Sequence, residues 1–246
     1  MKRLSCFFTV VLACGFLGFE KPPQPKPADP APLESVLKKM DAVAAGFRSA
    51  EAEFEWDTYE KVIDEVDDIQ TGTIYYRKNS DNIEMMAEVK KAGQTLKEQR
   101  PEPKFVLFSQ GKVQMFQPRV NTVTQFDLGK NRSDFESYVV LGFGGSGQDL
   151  KKAFEVTYID PQTIPVAGTA ELQLVPKSDK LKGTYAKIFL WIDLNKGVSV
   201  QQQFFQPQGD YRLAKYSDIQ INGKKIPDEV FRLKTNSKTQ FVSPKG

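Results

Sequence analysis

The chain has 246 residues, with 34 Lys and Arg against 31 Asp and Glu and no histidine. The two signs are interspersed rather than clustered, so the sequence carries no nucleic-acid footprint. Its 2 cysteines, Cys6 and Cys14, both lie near the N-terminus, so the usual catalytic triads and zinc sites lack their residues, although carboxylate chemistry stays open.

Met1-Lys2-Arg3 followed by the uncharged run Leu4 to Phe19 reads as an export signal over residues 1–19. The run is shorter than the roughly 20 residues of a membrane-spanning helix. Val11-Leu12-Ala13-Cys14 resembles a lipobox with an atypical Leu12. Cys14 is therefore either a lipidation site or an apolar residue discarded with the signal, and in both cases the fold has no internal disulfide. Residues 20–32 carry prolines at 22, 23, 25, 27, 30 and 32 and read as an extended polyproline tether. The remainder, 33–246, is long enough for one domain.

Leu33, Val36, Leu37, Met40, Val43, Ala44 and Phe47 follow helical spacing and predict an amphipathic helix. Period two then takes over. Ala52, Phe54 and Trp56 alternate with Glu51, Glu53, Glu55 and Asp57, giving a strand with one dry and one wet face. Further strands are predicted at Thr71–Lys78, Asn82–Val89, Lys104–Ser109, Lys112–Gln117, Val123–Leu128, Glu155–Ile159, Ala170–Val175, Ala186–Asp193, Val198–Phe205, Tyr211–Ile219 and Val230–Lys234. Turns such as Asn195-Lys196-Gly197 and Ile221-Asn222-Gly223 separate them. The fold class is mainly β: an unclosed antiparallel half-barrel. Its apolar concave face needs a cover, and the N-terminal helix and short lid helices within Ser133–Phe154 supply it.

Three motifs are set aside. Gly142-Phe143-Gly144-Gly145-Ser146-Gly147 has the GxGxxG spacing but sits among antiparallel strands, so it reads as a flexible joint in the cover rather than a dinucleotide turn. Asp64, Glu65, Asp67 and Asp68 lack the spacing of a calcium loop and read as a solvated hairpin end. Glu53 and Glu55 fall on the wet face, where they lack the burial that a catalytic acid needs. No catalytic residue, metal site or cofactor is expected.

The order of parts resembles the periplasmic lipoprotein carrier family, the LolA-like proteins. The likeness runs from about Leu33 to Pro244, through the helix leading into Phe47 to Trp56, the Gly72 to Lys78 strand, the Phe108-Ser109-Gln110-Gly111-Lys112 turn ending at Gln117-Pro118, and the segment Asn222 to Phe231. The resemblance implies a half-barrel that takes up lipoprotein acyl chains from an inner-membrane release complex and passes them to an outer-membrane acceptor. It also implies a lid latch, an arginine at the end of the second strand. That position falls on Lys78, with Arg77 one residue before. The charged stretch Lys90 to Lys104 is longer than the family's connection.

The expected site is an apolar cavity lined by Phe54, Trp56, Ile74, Tyr76, Ile83, Met85, Met115, Leu172, Leu174, Ile188, Leu190 and Ile192. Its expected occupants are acyl chains of lipoproteins or another hydrophobic lipid, held by a noncatalytic, monomeric periplasmic protein. The alternative is a protein anchored through Cys14 that serves as a lipoprotein receptor or a lipid-sensing regulatory module.

Overall fold

The computed structural model describes residues 30–79, 82–129, 141, 143–159 and 166–244. The signal, Cys14 and most of the tether lie outside them. Helix α1 (Pro30–Gly46) begins within the proline stretch, earlier than the periodicity predicts. Pro30 is tolerated at a first helical position because the N–H it lacks has no partner there. Val36, Leu37 and Met40 turn inward and are buried, following the i, i+3, i+4 rule.

Twelve strands among the described residues form one sheet: β1 (Ser49–Glu60), β2 (Glu65–Asn79), β3 (Asn82–Gly93), β4 (Arg100–Ser109), β5 (Lys112–Gln117), β6 (Thr122–Asp127), β7 (Phe154–Tyr158), β8 (Thr169–Pro176), β9 (Lys187–Asp193), β10 (Ser199–Phe205), β11 (Tyr211–Ile221) and β12 (Gln240–Val242). Their order is β12-β6-β5-β4-β3-β2-β1-β11-β10-β9-β8-β7. The sheet is therefore open, with β12 and β7 at its edges. All pairs are antiparallel except β12 with β6. Two meanders, β1 to β6 and β7 to β11, are sewn together by the β1–β11 pair. Two short helices, α2 (Gly147–Ala153) and α3 (Asp179–Thr184), are capped by Ser146 and Ser178, whose hydroxyls accept from the backbone N–H groups of Asp149 and Leu181.

Several expectations are corrected. Val230–Lys234 is not a strand: Asp228–Phe231 forms a 3-10 turn after Pro227, and its apolar side chains dock on the sheet instead of joining a ladder. β12, only three residues long and exposed, has too few positions for alternation to be read. The stretch Lys90 to Lys104 is mostly strand, because β3 continues to Gly93 and β4 starts at Arg100. Pro101 and Pro103 fit there because β4 pairs with β5 only from Phe105 onward, so their side of the strand needs no amide donor.

Nor is the sheet dry on one face alone. Met86 and Leu107 on the convex side are buried with Ile226 and Phe231, and Tyr75, Phe105, Val230 and Leu233 pack around them. The C-terminal chain thus covers a second apolar patch. Asp57, expected on the wet face, is only 7% exposed. Lys215 reaches its Oδ2 at 2.9 Å, and burial pushes its carboxyl pKa up against the pull of that ammonium.

Candidate functional site on the concave face

The register places the expected lining residues in rows across the sheet. Ala52, Ile74, Ala87, Val106 and Met115 are successive cross-strand partners from β1 to β5. Ala50, Tyr76, Met85 and Phe108 form the next row. In the second meander, Leu172 faces Leu190 and Leu174 faces Ile188. All of these project to the concave side.

The structure divides the expected set into two patches. Leu172, Leu174, Ile188, Leu190 and Ile192 lie beneath α1 and α2, buried with Met40, Leu141, Leu150 and Phe154. Phe54, Ile74, Tyr76 and Met85 form the other patch with Phe47, Phe108 and Phe143, with Trp56 and Ile83 half-buried at its margin. Met115 is half-buried opposite Val106 and Thr124 and joins neither cluster. The predicted site is thus a helix-covered core beside an aromatic patch.

Phe143, from the covering segment, is fully buried in the aromatic patch. Its ring stacks on Tyr76 at 5.1 Å between centroids and meets Tyr216 edge-on at 4.7 Å. Phe54 stacks on Trp56 at 4.1 Å beside them. Burial pushes the Tyr76 and Tyr216 hydroxyls well above the usual phenol range.

A chain of buried polar groups ties this plug to the floor. Tyr216 donates to Gln202 Oε1 at 3.4 Å, and Gln202 Nε2 donates to the carbonyl oxygen of Leu141. Gln202 is 4% exposed, so breaking its bond would leave a dry amide or carbonyl unpaired. Sequence reading missed Phe143, Gln202 and Tyr216.

The glycine stretch is a close-packing device rather than a free joint. A Cβ at Gly144, whose φ is +83°, would lie 2.5 Å from the Phe47 ring. A Cβ at Gly147 would lie 2.7 Å from Leu37 Cβ. These two glycines let the covering segment settle on α1 and its exit. Within the expected lid, 133–140 and Gly142 lie outside the described residues.

Arg77 points to the convex side, bonds Glu84 Oε2 through Nε at 3.0 Å and Nη2 at 2.6 Å, pairs with Asp228, and lies 4.3 Å over the Phe231 ring. Alternation sends Arg77 to the face opposite Tyr76, and Lys78 to the same side as Tyr76. Lys78 is exposed at the sheet's rim, in a groove with Arg48 and Lys225.

Among the described residues, no group of three or more acidic, His or Cys side chains could hold a metal. The buried carboxylates Asp57 and Glu171 both lie on the convex side, on β1 and β8 respectively. No helix among the described residues is long and apolar enough to cross a membrane.

No family model matches the chain, and no curated protein matches it in sequence. Among solved structures, it is similar to an uncharacterized conserved protein from Thermus thermophilus, with a TM-score of 0.52 and 10% identity over 87% of this chain and 99% of that one. It is also similar to MucB, at 0.48 and 13% over 86% and 66% of the two chains. A LolA superfamily protein from Nitrosomonas europaea follows at 0.37 and 15% over 81% and 97%. The first likeness shows a shared fold. The open antiparallel sheet with helices across one face is the unclosed half-barrel that the strand pattern predicts.

Proposed function

We propose that the protein is a noncatalytic periplasmic carrier that holds the acyl chains of lipoproteins, or of another hydrophobic lipid, on its concave face. One observation carries this reading: a side chain of the cover, Phe143, occupies the aromatic patch of the sheet. An acyl chain entering there would replace one apolar group by another. The hydrogen bond from Gln202 to Leu141 would act as the latch in place of the family's arginine, holding the cover down when no cargo is bound.

In this reading, residues 1–19 direct export, 20–32 form a tether, and 33–246 the binding domain. Donor and acceptor are the inner-membrane release complex and outer-membrane receptor that the resemblance implies. Cys14 decides between a freely diffusing carrier and an anchored one. Labelling cells with a clickable fatty acid, with Cys14→Ser as control, separates the two.

The test is native mass spectrometry of protein purified from its periplasm, combined with uptake of a fluorescent fatty-acyl probe. Co-purifying lipid and saturable uptake are expected. A lipid-free protein that also fails to take up the probe would overturn the proposal.

A further inference from the structure

At the strand ends around the α1–β1 junction lies a groove of about 480 Å³ lined by Arg48, Ser49, Arg77, Lys78, Asn222, Gly223, Lys225, Ile226 and Asp228. Its frame is fixed by backbone pairing. The Lys78 N–H donates to Arg48 O at 2.9 Å, and the Asn222 N–H donates to Ser49 O at 2.9 Å. Asn222 Oδ1 accepts from the backbone N–H groups of Arg48 at 2.7 Å and Ser49 at 3.1 Å, while its Nδ2 donates to Gly46 O at 2.7 Å. This one asparagine, held in the left-handed region at φ 51°, clamps the end of β11 to residues 46–49 and is consumed in doing so.

The cations around that frame are unevenly used. Arg77 is committed to Glu84 and Asp228, and this pairing holds the Asp228 carboxyl below its ordinary range, with Lys225 adding a weaker pull. Arg48, Lys78 and Lys225 are all exposed. Among the described residues, none of their side chains makes a hydrogen bond or ion pair. Three exposed cations thus surround a frame fixed by backbone pairing, while the neighbouring carboxylates are already bonded to Arg77.

We propose that this groove binds a phosphate group, through Arg48, Lys78 and Lys225. Its volume leaves room for a phosphate group together with the molecule that carries it, and the mixture of one guanidinium with two ammonium groups suits multidentate phosphate contacts. The phosphate could belong to a phospholipid headgroup or to a soluble phosphate compound. This inference stands apart from the acyl-chain reading, because the groove lies at the sheet's rim and shares none of the apolar lining.

Two probes separate the sources: co-sedimentation with phosphatidylglycerol vesicles against phosphatidylcholine vesicles, and calorimetric titration with inorganic pyrophosphate. Each is run on the wild type, on Lys78→Glu/Lys225→Glu, and on Lys196→Glu, an exposed charge in the β9–β10 turn. Binding of either probe that weakens about tenfold or more in the double variant, stays intact in Lys196→Glu and falls with added salt supports the site. Phosphatidylglycerol alone identifies a headgroup, and pyrophosphate a soluble ligand. Failure of both probes to bind the wild type, or equal binding by the double variant, overturns it. Circular dichroism checks that each variant is folded.

Discussion

Phe143 stacks on Tyr76, although the first belongs to the covering segment and the second to the floor of the sheet. Truncation separates a plug from ordinary core. Phe143→Ala should lower stability by about 3 kcal/mol, as for other buried phenylalanines, measured by urea unfolding. It should also tighten binding of a fluorescent acyl probe, because the space is already vacated. Lost stability with unchanged or weaker probe binding would make Phe143 plain core.

Gln202 makes a different prediction, since its effect should lie in rate. Gln202→Leu leaves the Leu141 carbonyl and the Tyr216 hydroxyl without their partner. A buried polar group so orphaned costs about 1–3 kcal/mol. If the bond is the latch, probe uptake followed by stopped flow should accelerate several-fold while the number of probes bound stays the same. Unchanged uptake kinetics would assign Gln202 to structure alone.

Chain length offers a quantitative check. Expelling one phenylalanine ring and breaking one hydrogen bond costs about 3–4 kcal/mol together, whereas each methylene buried returns about 0.8 kcal/mol. Roughly five methylenes are then needed to break even. Four- to six-carbon fatty acids should fail to displace the probe, and affinity should climb steeply by twelve carbons. Competition independent of chain length would place the probe outside the apolar face.

Much of this face was legible because its strands alternate. Ile74, Tyr76, Leu172, Leu174, Ile188 and Leu190 share a side by period two, and the ladder puts them there. The convex patch was not legible, because Met86 and Leu107 stand inside unbroken apolar runs, Met85-Met86-Ala87 and Phe105 to Phe108, where alternation does not mark which positions face which side. Only the C-terminal chain, packed on them through Ile226 and Phe231, makes them core. The plug was hidden for another reason. Phe143 stands between glycines whose spacing imitates a nucleotide turn, and no local pattern says that Gly144 is needed to clear Phe47. Gln202 sits in a strand where its neighbours are also glutamines, so its bond to Leu141 depends on tertiary placement alone.

Arg77 should prove to be a fastener for the C-terminal chain. Arg77→Ala removes a fork to Glu84, the pair with Asp228 and the stack over Phe231. Hydrogen exchange over 224–235 should speed up markedly, while acyl-probe uptake stays at the wild-type rate. Arg77→Lys should recover little, because an ammonium keeps the charge but neither the fork nor the stacking plane. Accelerated probe uptake in Arg77→Ala would instead assign Arg77 a role in holding the cover.

Acid should loosen the cover through Asp149. The Ser146 side chain bonds this carboxylate at 2.7 Å and Lys152 lies 3.0 Å from it, and both hold its pKa below the ordinary 3.8. A carboxyl whose folded pKa is depressed stabilises the fold fully above its unfolded value, and that contribution fades as pH falls through the folded one. The loss therefore belongs below about pH 4, at the first turn of α2, where a carboxylate also favours the helix dipole. Asp149→Asn should be somewhat less stable than wild type at pH 7, and the difference should shrink between pH 5 and pH 2.5 in urea titrations. A gap that stays constant over that range would show that the Asp149 charge does not hold the α2 end of the cover.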